Sequence, residues 1–260
     1  MPGAVRIDKD GPVASLVFDY PERRNAISFD MWKAIPGLVA ELEGDASVRV
    51  VVLRGAGNVA FVSGADISEF EQTRSGEAAK EYDLANERAF EALFSLNKPL
   101  ITQIHGFCVG GGVAIALTAD FRYAADDAVL AIPAVRLGLG YPASGIEALV
   151  RVVGPSAAKE IFFTARRFTA SEALARRLLD EVRPKAELDA FVRDAALRIA
   201  ENAPLTIRSA KIIVRELARP LAERDLGAIE RSIRACYASE DYAEGVRAFL
   251  EKRSPVFKGR

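Results

Sequence analysis

Two glycine turns constrain this sequence more than any other feature. Residues 62–67 read VSGADI and residues 109–113 read VGGGV. Each turn follows an apolar run typical of a strand and precedes a segment with helical spacing. Several backbone amides at a helix start lack intrahelical partners, and glycine lets a ligand atom approach them. The amides of Ala65 and Gly111 are therefore candidates for one oxyanion hole, although a tight strand-to-helix turn explains a glycine run equally well in isolation.

Length and composition indicate a globular protein with a large core. The sequence has 260 residues, of which 50% are hydrophobic, which suits one domain or one domain with an appendage. The formal net charge is −1, so neither nucleic acid nor an anionic membrane is an expected partner. No apolar run approaches the roughly 20 residues that span a bilayer, and the first residues show no secretion signal. We therefore expect a cytoplasmic protein.

The order of predicted elements favours an α/β core followed by a helical region. Ser28 is a plausible N-cap for a helix over residues 29–43, and Thr169 with Glu172 forms a capping box. From residue 187 onward the pattern predicts only helices. We therefore expect an α/β core over residues 1–186 and a helical region over residues 187–260. Apart from the helix at 29–43, the predicted elements of the core include strands at 5–7, 13–18, 48–53, 99–104, 121–124 and 129–132 and a helix at 81–96.

The segments around both glycine turns resemble the paired signatures of the crotonase, or enoyl-CoA hydratase/isomerase, superfamily. Residues 58–67 read NVAFVSGADI and residues 98–112 read KPLITQIHGFCVGGG. The similarity extends to RNA at residues 24–26 and AFLEKR at residues 248–253. It implies a crotonase-type spiral of ββα units with a helical C-terminal oligomerisation region. It also implies a homotrimer or a dimer of trimers.

The resemblance also implies an acyl-CoA substrate and assigns residues to it. The thioester carbonyl oxygen would lie between the amides of Ala65 and Gly111, with no cofactor needed beyond the CoA moiety of the substrate. Arg24 is a candidate partner for a CoA phosphate, because guanidinium suits phosphate geometry, or else a solvated surface charge. The other matched positions that would contact CoA are Ala26, Ala65, Asp66, Ile67, Ser68, Phe249 and Lys252, the last two at a subunit boundary.

Two positions depart from the pattern of the family's hydratases. Those enzymes use two glutamates to position and deprotonate water, and the matching residues here are Ala114 and Ala134. Alanine can neither accept a proton nor orient water, so the usual acid–base catalysis is absent. Ordinary hydration of an enoyl-CoA is therefore not expected. The hypothesis that follows is lyase chemistry without the glutamate pair, such as decarboxylation of a malonyl-type CoA.

Tyr141 is the leading candidate to replace the missing pair. It falls on the loop that faces the thioester in this family, and methylmalonyl-CoA decarboxylase has a tyrosine at the matching position. The C-terminal region of that decarboxylase also resembles this sequence, whereas it carries a histidine where this chain has Ala65. Decarboxylation needs the carboxylate perpendicular to the thioester plane and a stabilised enolate, without a strong base. Core packing is the competing interpretation of Tyr141.

The other reactive side chains have simpler interpretations. Asp66 is expected to cap its own helix, Glu147 to lie at the surface, and His105 to be structural. A serine peptidase family shares the fold, but neither Ser63 nor Ser144 has a fitting nucleophile context. No histidine or cysteine cluster has metal-ligand spacing, and Cys108 and Cys236 are expected to be free thiols.

Two further functions remain open at this point. One is an enoyl-CoA hydratase or isomerase that uses non-standard acid–base residues. The other is a non-catalytic acyl-CoA binder that keeps the pocket without the chemistry. The acyl group itself does not follow from the sequence, because the pocket wall is expected to come from residues 69–80 and the C-terminal helices.

Overall fold

Ten strands form two sheets in the computed structural model, which describes residues 3–70 and 76–260. The six-stranded sheet has the order β1-β2-β3-β5-β7-β10, with β1 and β2 antiparallel and the other pairs parallel. The four-stranded sheet has the order β4-β6-β8-β9. The strands are β1 (Ala4–Asp10), β2 (Val13–Asp19), β3 (Val50–Gly55), β4 (Ala60–Val62), β5 (Leu100–Ile104), β6 (Phe107–Val109), β7 (Phe121–Ala125), β8 (Val129–Ala131), β9 (Phe168–Thr169) and β10 (Glu181–Arg183).

The described part of the chain also contains nine α-helices. They are α1 (Phe29–Gly44), α2 (Gly76–Ser95), α3 (Gly111–Ala116), α4 (Ala143–Thr164), α5 (Ala170–Ala175), α6 (Leu188–Ala200), α7 (Pro204–Leu217), α8 (Leu226–Tyr237) and α9 (Glu240–Glu251). The pairs β3–β4, β5–β6 and β7–β8 each place one strand in each sheet and are each followed by a helix. This repetition produces the spiral of ββα units, and α6 to α9 form the helical C-terminal region.

Local sequence signals set several helix ends. The Ser28 side chain accepts a hydrogen bond from the Met31 amide at the start of α1, and Thr169 forms the reciprocal capping box with Glu172 at the start of α5. Both caps were predicted from the sequence.

The start of α2 differs from the prediction. The helix begins at Gly76, whereas the sequence predicted a start at residue 81. The prediction missed the first residues because they are polar and carry no apolar stripe. Residues 71–75, within the stretch expected to line the acyl pocket, lie outside the described residues.

The central strands are buried on both faces, as their continuous apolar runs predict. Val51 and Leu53 of β3 belong to the main core, which is covered by α1 and α2. Val50 and Val52 face the other way and pack with residues of α6, including Val192. Helix α6 therefore seals the outer face of the six-stranded sheet and ties the helical C-terminal region to the core. Within the described ranges, no helix has the length and apolar character required to cross a membrane.

Candidate active site

The two glycine turns meet at one edge of the four-stranded sheet. Strands β4 and β6 are parallel neighbours, so their carboxyl ends lie side by side and the turns that follow them are brought together. A methyl group added at Gly64 would lie 3.3 Å from the Val109 carbonyl oxygen. One added at Gly111 would lie 3.8 Å from the Ala65 amide nitrogen. The peptide groups of Ala65 and Gly111 are therefore direct neighbours.

A single backbone bridge sets the direction of the Ala65 amide. The Ile27 amide donates to the Gly64 carbonyl oxygen at 2.8 Å, and the Asp66 amide donates to the Ile27 carbonyl oxygen at 2.9 Å. Successive amides in an extended segment point to opposite sides. Because the neighbours of Ala65 face Ile27, the Ala65 amide faces away from it. Gly64 has φ +112°, a conformation that favours glycine and makes this turn possible.

The start of α3 sets the direction of the Gly111 amide. Gly110 is the N-cap with φ +54°, and its amide donates to the Ala131 carbonyl oxygen at 2.8 Å. The first hydrogen bond of the helix runs from the Ala114 amide to the Gly110 carbonyl oxygen at 3.1 Å. Gly111 therefore belongs to the first turn, whose amides have no intrahelical acceptor. Within residues 3–70 and 76–260, neither the Ala65 nor the Gly111 amide donates a hydrogen bond to another residue.

The two positions that carry glutamates in the family's hydratases have no ionisable group here. Ala114 lies half-buried in α3, two residues beyond the glycine run. Ala134 is buried and begins a short 3₁₀ turn over Ala134–Leu137. The preceding residue, Pro133, has its Cδ atom 4.0 Å from a methyl group added at Gly110, so this turn borders the site. The surroundings of the amide pair at these positions are therefore apolar.

Tyr141 has a partly buried ring just before helix α4. The ring packs edge-on against Phe162, with the centroids 5.0 Å apart, and lies against the Cα atom of Gly145. Desolvation by burial raises the pKa of the phenol above its ordinary range, which already leaves the hydroxyl protonated at neutral pH. No hydrogen bond to this hydroxyl is made within the described part of the chain. The ring thus packs against the core, as the competing interpretation requires, and the hydroxyl remains a candidate donor.

The residues matched to CoA contacts near the first turn surround it on the surface side. Arg24 is exposed, with φ +53°, and its guanidinium lies 4.5 Å from the ring centroid of Phe107. Ala26 is buried, whereas Ile67 and Ser68 are exposed.

Asp66 is the N-cap of the 3₁₀ turn Ile67–Glu69. Its carboxylate accepts hydrogen bonds from the amide of Ser68 at 3.0 Å and the hydroxyl of Ser68 at 2.6 Å. The expectation that Asp66 caps its own helix is confirmed.

Phe249 and Lys252 lie at the opposite end of the sequence, at the end of helix α9. Phe249 is 82% exposed, and Lys252 is the C-cap with φ +55°. Helix α9 packs against α8. Neither side chain forms a hydrogen bond or ion pair with the residues of the two glycine turns in the described part of this chain. Their assignment to CoA at a subunit boundary stays a prediction.

The remaining reactive side chains have other partners. The Nε2 atom of His105 lies 2.7 Å from a carboxylate oxygen of Asp189, and the Ser63 hydroxyl donates to the Arg23 carbonyl oxygen at 3.1 Å. The contacts of His105 and Ser63 thus provide no Ser–His pair. Glu147 is exposed and pairs with Arg151 on α4. No group of three potential metal ligands occurs among the described residues.

One contact beside the turns was not predicted. The Nε1–H of Trp32 donates to the Tyr82 hydroxyl at 3.1 Å, and the Trp32 ring contacts the position of a methyl group added at Gly111. The two aromatic residues are far apart in sequence, so helical periodicity indicates that each is buried but not that they meet.

Comparisons with known proteins agree with this architecture. The family model described as enoyl-CoA hydratase/isomerase matches residues 8–260. A short-chain-enoyl-CoA hydratase of Clostridium acetobutylicum is 34% identical, covering 98% of each chain. A carnitinyl-CoA dehydratase of Salmonella typhi is 30% identical over the full length of both. The crystal structure of an enoyl-CoA hydratase/carnithine racemase from Magnetospirillum magneticum superposes with a TM-score of 0.94 at 35% identity, covering 98% of this chain and 96% of that one.

The fold is therefore of the crotonase class of α/β proteins, with a spiral of ββα units and two glycine turns that meet at one edge of a sheet. The chain belongs to the enoyl-CoA hydratase/isomerase family. The relatives described above carry the names of a hydratase and a dehydratase, and neither name is that of a decarboxylase.

Proposed function

We propose that this protein is an enzyme that binds an acyl-CoA thioester and stabilises its enolate between the amides of Ala65 and Gly111. The observation that carries the proposal is the adjacency of these two amides, neither of which has an acceptor in the described ranges. A preorganised donor of this kind contributes about 3–4 kcal/mol to a transition state with a developing oxyanion. Full-length similarity to relatives named as acting on CoA esters supports the substrate class.

We further propose that the reaction is a lyase reaction without a general base, such as decarboxylation of a malonyl-type CoA. The bond between Cα and the carboxylate breaks, carbon dioxide leaves, and the electron pair passes to the thioester enolate. Cα is then protonated. The apolar residues Ala114 and Ala134 support this chemistry, because an apolar surrounding destabilises a carboxylate and holds no base that could activate water.

Tyr141 is the proposed polar group of this reaction. A tyrosine phenol is protonated at neutral pH, and burial raises the pKa of Tyr141 further, so it can donate a hydrogen bond to the carboxylate or supply a proton. We expect Tyr141→Phe to lower turnover while the exposed Tyr237→Phe leaves it unchanged. Unchanged turnover in Tyr141→Phe would remove this residue from the mechanism.

Offering methylmalonyl-CoA and crotonyl-CoA side by side tests the reaction. We expect carbon dioxide from the first ester and no loss of enoyl absorbance from the second. The opposite result would favour the second candidate, a hydratase or isomerase with non-standard acid–base residues, which the names of the relatives support. Tight binding of CoA esters without turnover across a panel would instead favour a non-catalytic acyl-CoA binder.

The proposed ligands and assembly follow the family pattern. We propose that Arg24, Ala26 and residues 65–68 contact CoA, and that Phe249 and Lys252 complete the site from a neighbouring subunit of a homotrimer or dimer of trimers. The exposure of Phe249 and of the adjacent Leu250 supports this arrangement, because neighbouring exposed apolar side chains are typical of an interaction surface. We propose no cofactor beyond the CoA moiety.

A further inference from the structure

An aromatic side chain borders the space in front of the amide pair. Trp32, on helix α1, is 1% exposed. Its Cζ2 atom lies 3.4 Å from the position of a methyl group added at Gly111, and the same methyl group would lie 3.8 Å from the Ala65 amide nitrogen. The edge of the indole therefore stands within van der Waals reach of any group held beside both amides.

The orientation of this indole is fixed by its neighbours. An indole N–H can only donate, and the buried Nε1–H of Trp32 donates to the Tyr82 hydroxyl at 3.1 Å. The ring also packs against Phe90, with centroids 5.3 Å apart. Tyr82, itself 1% exposed, stacks on Phe29 with centroids 5.7 Å apart. Turning the indole aside would leave its N–H unpaired in the core, so the wall is rigid.

A cavity of about 410 Å³ lies between helices α1 and α2 and is open to solvent. Phe29 lines the cavity and stacks on Tyr82, which holds Trp32, which in turn contacts Gly111. The rings of Phe29, Tyr82 and Trp32 thus stand in sequence between the cavity and the amide pair. The other residues that line the cavity are Lys33, Pro36, Glu81, Leu84, Ala85 and Arg88.

The two substituents of a bound thioester carbonyl face different surroundings. The CoA arm is long and charged and must reach solvent, which the exposed Arg24 and Ser68 border. The alkyl part of the acyl group is apolar, and its transfer from water to the buried wall formed by Trp32 is favourable. We therefore expect the alkyl chain, rather than a carboxylate on Cα, to lie against Trp32.

We propose that Trp32, held by Tyr82, is a specificity-determining residue that restricts the substrate to short-chain acyl-CoA esters. Removing the indole leaves space beside the amide pair that the carbon chain of a longer ester can occupy. This inference rests on the proposed function, because it needs the thioester to bind at Ala65 and Gly111.

Trp32 is the single tryptophan of the sequence, so its fluorescence reports on this contact directly. We expect butyryl-CoA to change the emission of the wild-type protein, whereas free CoA, with the same adenine absorbance, does not. Binding of butyryl-CoA by calorimetry without any change in emission would overturn the placement of the acyl group.

The affinities for butyryl-CoA and decanoyl-CoA, measured by calorimetry, test the restriction without depending on the reaction. We expect Trp32→Leu to raise the ratio of the affinity for decanoyl-CoA to the affinity for butyryl-CoA by about tenfold or more. Tyr82→Phe keeps every aromatic ring but removes the acceptor of the indole N–H. We expect this variant to raise the same ratio of affinities by about threefold. Phe94→Ala, which shortens a half-exposed side chain of α2 stacked with Arg215, is the control and should leave the ratio unchanged.

The outcomes separate the two proposals. If the wild-type protein binds neither ester, the proposed function fails. If it binds both and the ratio is unchanged in the folded variants of Trp32 and Tyr82, only the role of Trp32 is overturned. Thermal unfolding identifies the folded variants, and Tyr82→Phe alone decides if the tryptophan variant does not fold.

Discussion

The two glycine turns present the same donor but are built in different ways. In the first turn, Gly64 adopts positive φ, a backbone bridge to Ile27 orients the Ala65 amide, and Asp66 caps the short helix that follows. In the second turn, Gly110 adopts positive φ, and Gly112 packs α3 directly onto strand β4. Hydrogen bonds thus hold both turns, and close backbone packing at Gly112 fixes the second turn in addition.

This difference teaches where the site tolerates change. When a side chain that accepts a hydrogen bond is replaced, water or another acceptor can take its place, so the loss of stability is partial. Where two backbones are so close that no methyl group fits between them, any side chain larger than hydrogen forces the backbones apart. We therefore expect substitutions at the second turn to act abruptly and those at the first turn to act gradually.

The largest effect is expected for Gly112→Ala. Its methyl group would lie 2.2 Å from the Val62 carbonyl oxygen, a backbone atom that no side-chain rotation can move. We expect a loss of about 4 kcal/mol or more in the free energy of unfolding, measured by denaturant titration. Gly37→Ala in α1, where nothing lies within 4 Å of an added methyl group, is the matched control and should be neutral or stabilising. Equal stability of the two variants would contradict the packing argument.

Gly111→Ala should separate folding from ligand binding. The added methyl group would lie 3.4 Å from Trp32 and 3.8 Å from the Ala65 nitrogen, ordinary contacts that the fold accommodates. The same methyl group occupies the space beside both amides, where the thioester oxygen is proposed to bind. We expect stability close to wild type and turnover lowered by about 100-fold, the usual effect of losing one oxyanion donor. Near-normal turnover would remove the amide pair from the mechanism.

A smaller effect is expected for Asp66→Ala in the first turn. The carboxylate accepts from the amide and hydroxyl of Ser68, so its loss should cost about 1 kcal/mol of stability. Asp66→Asn retains an acceptor oxygen and should recover most of that loss. Thermal unfolding of both variants checks the pair, and an equal loss in both would indicate a role of the negative charge rather than of the cap.

The elements with local signals were predictable from the sequence. The Ser28 cap, the capping box at Thr169 and the buried strands were expected and are observed. These features depend on residues within a few positions of one another, so a single sequence contains them. The start of α2 was predicted wrongly, because its first turns face solvent and lack an apolar pattern.

The site was predictable only in part, because its geometry depends on distant contacts. The glycine motifs identified Ala65 and Gly111 as candidates. The bridge between Ile27 and Ala65, which sets the direction of the Ala65 amide, depends on the fold and has no local signal. The contact of Trp32 with Tyr82 joins two helices and has no local signal. The assignment of Tyr141 stays a prediction, since its partly buried ring packs against the core and its hydroxyl has no partner in the described residues to identify its role.

The smallest effect is expected where one residue touches both turns. The Arg24 carbonyl oxygen accepts a hydrogen bond from the Ser63 amide at 3.2 Å, beside the first turn. The guanidinium of Arg24 lies 4.5 Å from the ring centroid of Phe107, which is on the strand that leads to Gly110. A cation–π contact of this kind contributes about 0.5–1 kcal/mol at an exposed site. Phe107→Leu keeps an apolar side chain but removes the ring, so the guanidinium loses its fixed position. We expect the affinity for free CoA, measured by calorimetry, to fall by about two- to fivefold, with no further loss when Arg24→Gln is added. Additive losses in the double variant would show that the two side chains act independently, and the ring would then have no part in positioning Arg24.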